Sequence, residues 1–128
     1  MVQTTIISIS PLEQAYKRLV FFCTSLVTET EQTAAVQAFE YTYELSWKTA
    51  RKVLIREGVQ DVNSPRAVFR ESARLGMIAD PEIWFTFITV RNLTSHTYND
   101  DVLHVVVTQL PSFQVQVRLL ITALKQRL

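Results

Sequence analysis

Residues 91–98, Arg91-Asn92-Leu93-Thr94-Ser95-His96-Thr97-Tyr98, bring a permanent cation, an amide, an imidazole and a phenol together in a largely apolar chain. Those groups suit a phosphate site. The guanidinium is a planar fork of donors that matches phosphate oxygens, histidine exchanges a proton near neutral pH, and tyrosine supplies a hydroxyl open to hydrogen bonding or modification. Together they fit metal-independent RNA cleavage. In that chemistry the ribose 2′-hydroxyl attacks its own phosphorus, His96 transfers a proton and Arg91 stabilises charge on the phosphoryl oxygens. A structural reading stands beside it, in which Arg91, Asn92 and His96 satisfy carbonyls at a helix end.

No other constellation in the chain competes. His104 makes no obvious metal pair, no His/Cys/Asp cluster has ligand spacing, and no glycine-rich loop offers a phosphate cradle. The residues therefore imply neither a metal nor a nucleotide cofactor. Arg66, Arg70 and Arg74 share one helical face and form a candidate RNA track, with a solvated surface as the alternative. A formal charge of +1 supplies no global field for polyanions, so any RNA contact must come from a local basic patch.

Positioning these groups falls to helices. Two Gly and four Pro among 128 residues, with abundant Leu, Ala, Glu, Gln, Arg and Lys, predict an all-α chain with few tight turns. The length suits one domain over residues 1–128, able to bury a core without metal or disulfide support. Cys23 lies among Leu19, Val20, Phe22 and Leu26, reads as a small buried hydrophobe and fits a reducing cytoplasm. The N-terminus lacks a signal-peptide pattern, and no uncharged apolar run reaches the length of a membrane span.

Residues 1–9 are expected to form an extended arm. Ser10-Pro11-Leu12-Glu13 then combines an N-cap, a first-turn proline and a capping-box acid, opening a helix expected to stop near Val27. Thr28-Glu29-Thr30-Glu31 starts the next, which should run from about 31 to 57 and end at Gly58. Its acids lie early and its bases late, with a Glu44–Lys48 pair at i,i+4. Ser64-Pro65 predicts a short helix to Arg74 ending at Gly76, and Asp80-Pro81 opens a fourth that runs into the 91–98 motif. Asn99-Asp100-Asp101 caps a fifth. Its Leu103, Val106, Leu110, Phe113, Val117, Leu120 and Leu124 recur in steps of three and four across Pro111, which predicts one long helix kinked there.

Arg91 and His96 stand five residues apart, and five helical steps turn about 140°, so an unbroken helix would not present both on one face. Either the helix unwinds around Thr94-Ser95, or two chains pair so that the Arg of one meets the His of the other. The second route requires a homodimer with facing motifs.

The 91–98 segment resembles the Arg-x4-His-x-Tyr signature of HEPN-domain proteins, in the branch of nucleotidyltransferase substrate-binding proteins. Residues 39–48 (FEYTYELSWK), residues 64–71 (SPRAVFRE) and Trp84 resemble the same branch in order and spacing, so the likeness spans roughly residues 10–125. It implies an up-and-down four-helix bundle with an additional short helix, dimerising, in a toxin–antitoxin pair with a minimal nucleotidyltransferase. The family's ribonuclease motif maps onto Arg91 and His96, and Asn92 matches a polar residue often found after the Arg. Tyr98 matches a tyrosine that the partner nucleotidyltransferase adenylylates, silencing the toxin. The older family label implies an alternative, a non-catalytic subunit that docks substrate to a separate nucleotidyltransferase. Asn99 departs from the pattern, standing where an acid is expected.

Overall fold

Prolines, glycines and short polar side chains set the helix boundaries in the computed structural model, which describes residues 6–128. The helices are α1 (Ser10–Phe22), α2 (Glu29–Arg56), α3 (Pro65–Arg74), α4 (Pro81–Leu93) and α5 (Asp100–Lys125), with a single 3-10 turn, Thr94–His96, between α4 and α5. The architecture is all-α, with α3 as the short addition to four longer helices. Of the expected N-terminal arm, residues 1–5 lie outside the described residues. Residues 6–9 carry no regular structure, and Ile7 is buried.

Five boundaries follow the predicted chemistry closely. Ser64 Oγ accepts from the Ala67 amide to start α3, and an Asp80 carboxylate oxygen accepts from the Glu82 amide at 2.9 Å to start α4. Gly76 ends the α3 region with φ +76°, a left-handed conformation costly for any residue carrying a Cβ. Gly58 does the same after α2 at φ +90°. At the start of α2, Thr28 Oγ1 accepts from the Glu31 amide while Glu31 Oε1 accepts from the Thr28 amide, a reciprocal capping box. The hydrogen bond from the Ser25 side chain, then those from backbone amides, hold the Glu31 carboxyl below its ordinary range.

Helix α1 departs from expectation at both ends. Ile9 occupies the N-cap position without a side-chain cap, so Ser10 is already helical. Glu13 reaches across to Lys125 on α5 at 2.8 Å instead of folding back as a capping-box acid. The helix ends at Phe22, five residues before Val27, because Thr24 Oγ1 donates to the Phe21 carbonyl at 2.6 Å and closes the last turn. Cys23 and Leu26 still pack on the core from the connecting segment, which is why their spacing reads as helical. Cys23 is half-buried, and burial raises its thiol to about 11, so it stays protonated and unreactive near neutral pH.

The core draws on every helix. Phe113 of α5 meets Phe39 of α2 edge-on at 4.6 Å and Phe87 of α4 at 5.1 Å, while Trp84 of α4 stacks on Phe69 of α3 at 4.6 Å. All seven residues of the predicted α5 repeat are buried, on both sides of Pro111. The proline removes one backbone donor, yet Leu110 and Phe113 beside it are fully enclosed, and their burial offsets that loss. α5 is accordingly one continuous helix. Its N-terminus and the C-terminus of α4 are thereby fixed close together, with the 91–98 motif between them.

Candidate active site

Hydroxyl groups build the turn that carries the motif. Thr94 Oγ1 donates to the Arg91 carbonyl at 2.7 Å, Ser95 Oγ to the Asn92 carbonyl at 3.4 Å, and Thr97 Oγ1 to the Thr94 carbonyl at 3.3 Å. Each reaches three residues back, tightening the chain from α-helical to 3-10 geometry and satisfying carbonyls that the end of α4 leaves open. Asn99 then caps α5, its side-chain oxygen accepting from the Asp101 and Val102 amides at 2.9 and 3.3 Å. Asparagine therefore serves as well there as the expected acid.

The carbonyls at the end of α4 find other partners than the motif's charged and aromatic groups. Thr94, Ser95 and Thr97 close the helix end, whereas among the described residues the side chains of Arg91, Asn92 and His96 donate to no backbone carbonyl. Replacing Thr94 by Val should cost about 1 kcal/mol, since Thr94 Oγ1 also accepts from Arg91 Nη1 at 2.9 Å. The midpoint of urea unfolding measures that loss.

Arg91 turns toward α2. Its Nη1 lies 3.3 Å from a Glu40 carboxylate oxygen and its Nε 3.6 Å from one of Glu44. Nε is buried and lacks a partner at full hydrogen-bond distance, so Glu44 balances its charge without closing a tight bond. The side chain is 32 % exposed, so Arg91 is not sealed from solvent. Beneath it Tyr43 is buried, and desolvation pushes its phenol far above the ordinary range. Glu44 also accepts from Trp47 Nε1 at 3.1 Å and keeps Lys48 at 3.7 Å, so the predicted Glu44–Lys48 pair is one arm of a larger network.

Sequence reasoning missed Glu40 and Glu44 as partners of the motif. A signal was present: two carboxylates at i,i+4 repel on a helix face unless a cation sits between them. Arg91 is that cation.

His96, Tyr98 and Asn92 are exposed on the outside of the turn. His96 Nδ1 and the Tyr98 hydroxyl stand 3.5 Å apart with their rings edge-on, and Tyr98 is 83 % exposed. The motif thus divides into an Arg91 half anchored to α2 and a His96–Tyr98 half open to solvent, with no hydrogen bond between them among the described residues. The unwinding expected at Thr94-Ser95 occurs, and among the described residues the polar partners of Arg91 lie on α2 and Thr94 while that of His96 is Tyr98.

The arginine stripe on α3 is exposed along its length. Arg66 lies over the Phe85 ring at 4.3 Å and Arg74 pairs with Glu71, while among the described residues no hydrogen bond or ion pair joins the stripe to the motif. His104 is exposed on α5, and among the described residues no three His, Cys, Asp or Glu side chains are grouped as a metal site. No described helix is long and apolar enough to cross a membrane.

An all-α bundle with an Arg-x4-His-x-Tyr turn between its last two helices defines a HEPN-type domain. The family described as nucleotidyltransferase substrate binding protein like matches residues 6–126, and the chain belongs to that family. A Haemophilus influenzae protein named probable ribonuclease HepT is 33 % identical over 107 residues, covering 80 % of this chain and 73 % of that protein. A crystal structure of the Thermus thermophilus protein ttk003001694 superposes with TM-score 0.84 at 28 % identity, covering 89 % of this chain and 98 % of that one. HI0074 of Haemophilus influenzae, described as having the fold of a substrate-binding domain of a nucleotidyltransferase, gives TM-score 0.79 at 27 % identity, covering 93 % and 100 %.

Proposed function

We propose that this chain is a metal-independent endoribonuclease, the toxin of a HEPN/minimal-nucleotidyltransferase pair, in which Arg91 and His96 carry the cleavage. The observation that carries the proposal is the division of labour at the turn. Thr94, Ser95 and Thr97 take up the helix-end carbonyls there, while Arg91 is held by Glu40 and Glu44 beside the turn and His96 stands exposed next to Tyr98. The likeness to a protein named probable ribonuclease HepT supports the same chemistry.

In this reading a phosphodiester meets the part-exposed Arg91 side chain. The 2′-hydroxyl gives up its proton and bonds to phosphorus, the bond from phosphorus to the 5′-oxygen breaks, and that oxygen leaves with a proton. His96 transfers a proton in this exchange and Asn92 supports the phosphate. The products are a 2′,3′-cyclic phosphate and a 5′-hydroxyl. Silencing follows from Tyr98, whose exposed phenol accepts AMP from ATP with release of pyrophosphate. An adenylyl group there sits beside His96, because the phenol oxygen and Nδ1 are 3.5 Å apart. The chain acts as one HEPN-like domain, in a homodimer and in the cytoplasm, with Arg66, Arg70 and Arg74 as an outlying RNA contact.

A second reading is favoured by the description of HI0074, that of a non-catalytic subunit presenting substrate to a nucleotidyltransferase. The purified protein should cut single-stranded or tRNA-like RNA in excess EDTA and leave 2′,3′-cyclic phosphate ends. Expression alone should arrest growth, and co-expression of the partner nucleotidyltransferase should relieve the arrest. Cleavage that vanishes in EDTA and returns with magnesium contradicts the mechanism, and absence of both cleavage and toxicity supports the subunit reading.

A further inference from the structure

A groove of about 700 Å³ runs along the N-terminal half of α2 and ends at the motif. Its walls include Glu29, Thr30, Thr33, Gln37 and Glu40 of α2 and Thr97 of the turn, with Ala34 and Val36 adding apolar surface. The groove is continuous with the candidate active site at two points. Glu40 is the carboxylate 3.3 Å from Arg91 Nη1, and Thr97 follows His96 directly in the chain.

We propose that this groove is a nucleobase subsite, holding the base of a nucleotide next to the phosphate that Arg91 engages and favouring bases that carry an exocyclic amino group. This assignment rests on the ribonuclease reading for its phosphate. Its own argument is charge and hydrogen-bonding capacity. Arg91 pairs with Glu40 at the motif end of the groove and draws the phosphate there, while Glu29 lines the other end with a carboxylate that repels a phosphate and leaves the base as the part of a nucleotide suited to enter. Thr30, Thr33 and Gln37 follow one another at helical spacing on α2, and none of their side chains hydrogen-bonds to the protein among the described residues. From residue 30 to residue 40 the helix rises about 15 Å, ample for one or two unstacked bases.

Carboxylates only accept, so they select bases that donate. Cytosine N4, adenine N6 and guanine N2 each present an amino group, while uracil offers two carbonyls and one ring N–H. The Gln37 amide both donates and accepts and completes recognition of the same edge, and Ala34 and Val36 supply apolar contact to the base. Single-stranded RNA is the matching ligand class, because only unpaired bases expose those edges.

The test uses binding, so that it stands apart from catalysis. The 15N-labelled full-length His96→Ala protein is titrated with tetranucleotides of cytidine, adenosine and uridine, following backbone amide shifts. Expected are shifts at Thr30, Thr33, Gln37 and Thr97, with cytidine and adenosine binding at least about fivefold more tightly than uridine. Combining Glu29→Gln with Gln37→Ala should reduce that preference to within about twofold. Thr33→Val, which keeps the side chain's volume, should weaken cytidine binding if the double variant fails to fold. Shifts confined to the Arg66, Arg70 and Arg74 face, equal affinity for all three tetranucleotides, or no binding would overturn the subsite. So would concentration-dependent shifts of the groove amides without RNA, which would mean that a second copy covers it. If the wild-type protein cuts no RNA while the base preference is present, the ribonuclease reading falls and the subsite stands. If it cuts RNA without any such preference, the reverse holds.

Discussion

Replacing His96 by Ala should lower RNA cleavage by about 10²- to 10⁴-fold, the range that loss of a positioned proton-transfer group produces. Stability should hardly move. His96 is exposed and its side-chain hydrogen-bonding and ring partner among the described residues is Tyr98, at 3.5 Å, and substitutions at such sites stay within about 0.5 kcal/mol. The contrast with Thr94→Val makes the experiment decisive: the hydroxyl variant should lose stability, and the histidine variant should lose cleavage. A His96→Ala protein that unfolds at markedly lower urea would return the histidine to a structural role. One that folds normally and still cuts RNA at the wild-type rate would remove His96 from the chemistry, whatever the rest of the motif does. Both readouts are needed, because cleavage alone does not separate a lost proton donor from a collapsed turn.

The helices were legible because their boundaries are local chemistry. Ser64-Pro65 and Asp80-Pro81 place a side-chain acceptor and a donor-free proline at the first turn, and the α5 repeat keeps its phase across Pro111. The end of α1 was not legible, since Cys23 and Leu26 are apolar at helical spacing for a tertiary reason, packing on the core from a segment that Thr24 has already turned out of the helix. At the site, the motif and its unwinding could be read from Thr94 and Ser95. The turn of Arg91 toward Glu40 and Glu44 could not, because it depends on how α2 and α4 face one another across some fifty residues of sequence. The groove beside Glu40 has the same origin, since Thr97 and Gln37 become neighbours only when the bundle closes.

Mixing two inactive variants should restore activity if the site is shared between chains. Arg91 is held by α2 while His96 is exposed on the turn, and no hydrogen bond joins the two among the described residues. A twofold dimer with facing motifs answers this by placing His96 of one chain beside Arg91 of the other. The exposed side of α5 suits such pairing: no Asp, Glu, Lys or Arg falls between residues 102 and 117, and Val105 and Val115 are about half exposed. Arg91→Gln and His96→Ala proteins should each be inactive. After subunit exchange half of the dimers are mixed, and each mixed dimer carries one site with both residues intact, so activity should rise to about a quarter of wild type. Exchange is verified independently by native mass spectrometry of a mass-labelled variant. If exchange is complete and the mixture stays inactive while the wild type cleaves, both groups act within one chain. The Arg91 side chain must then leave Glu40 and Glu44 when a phosphate arrives. Light scattering that finds only monomers at micromolar concentration would exclude the shared site directly, without reference to cleavage.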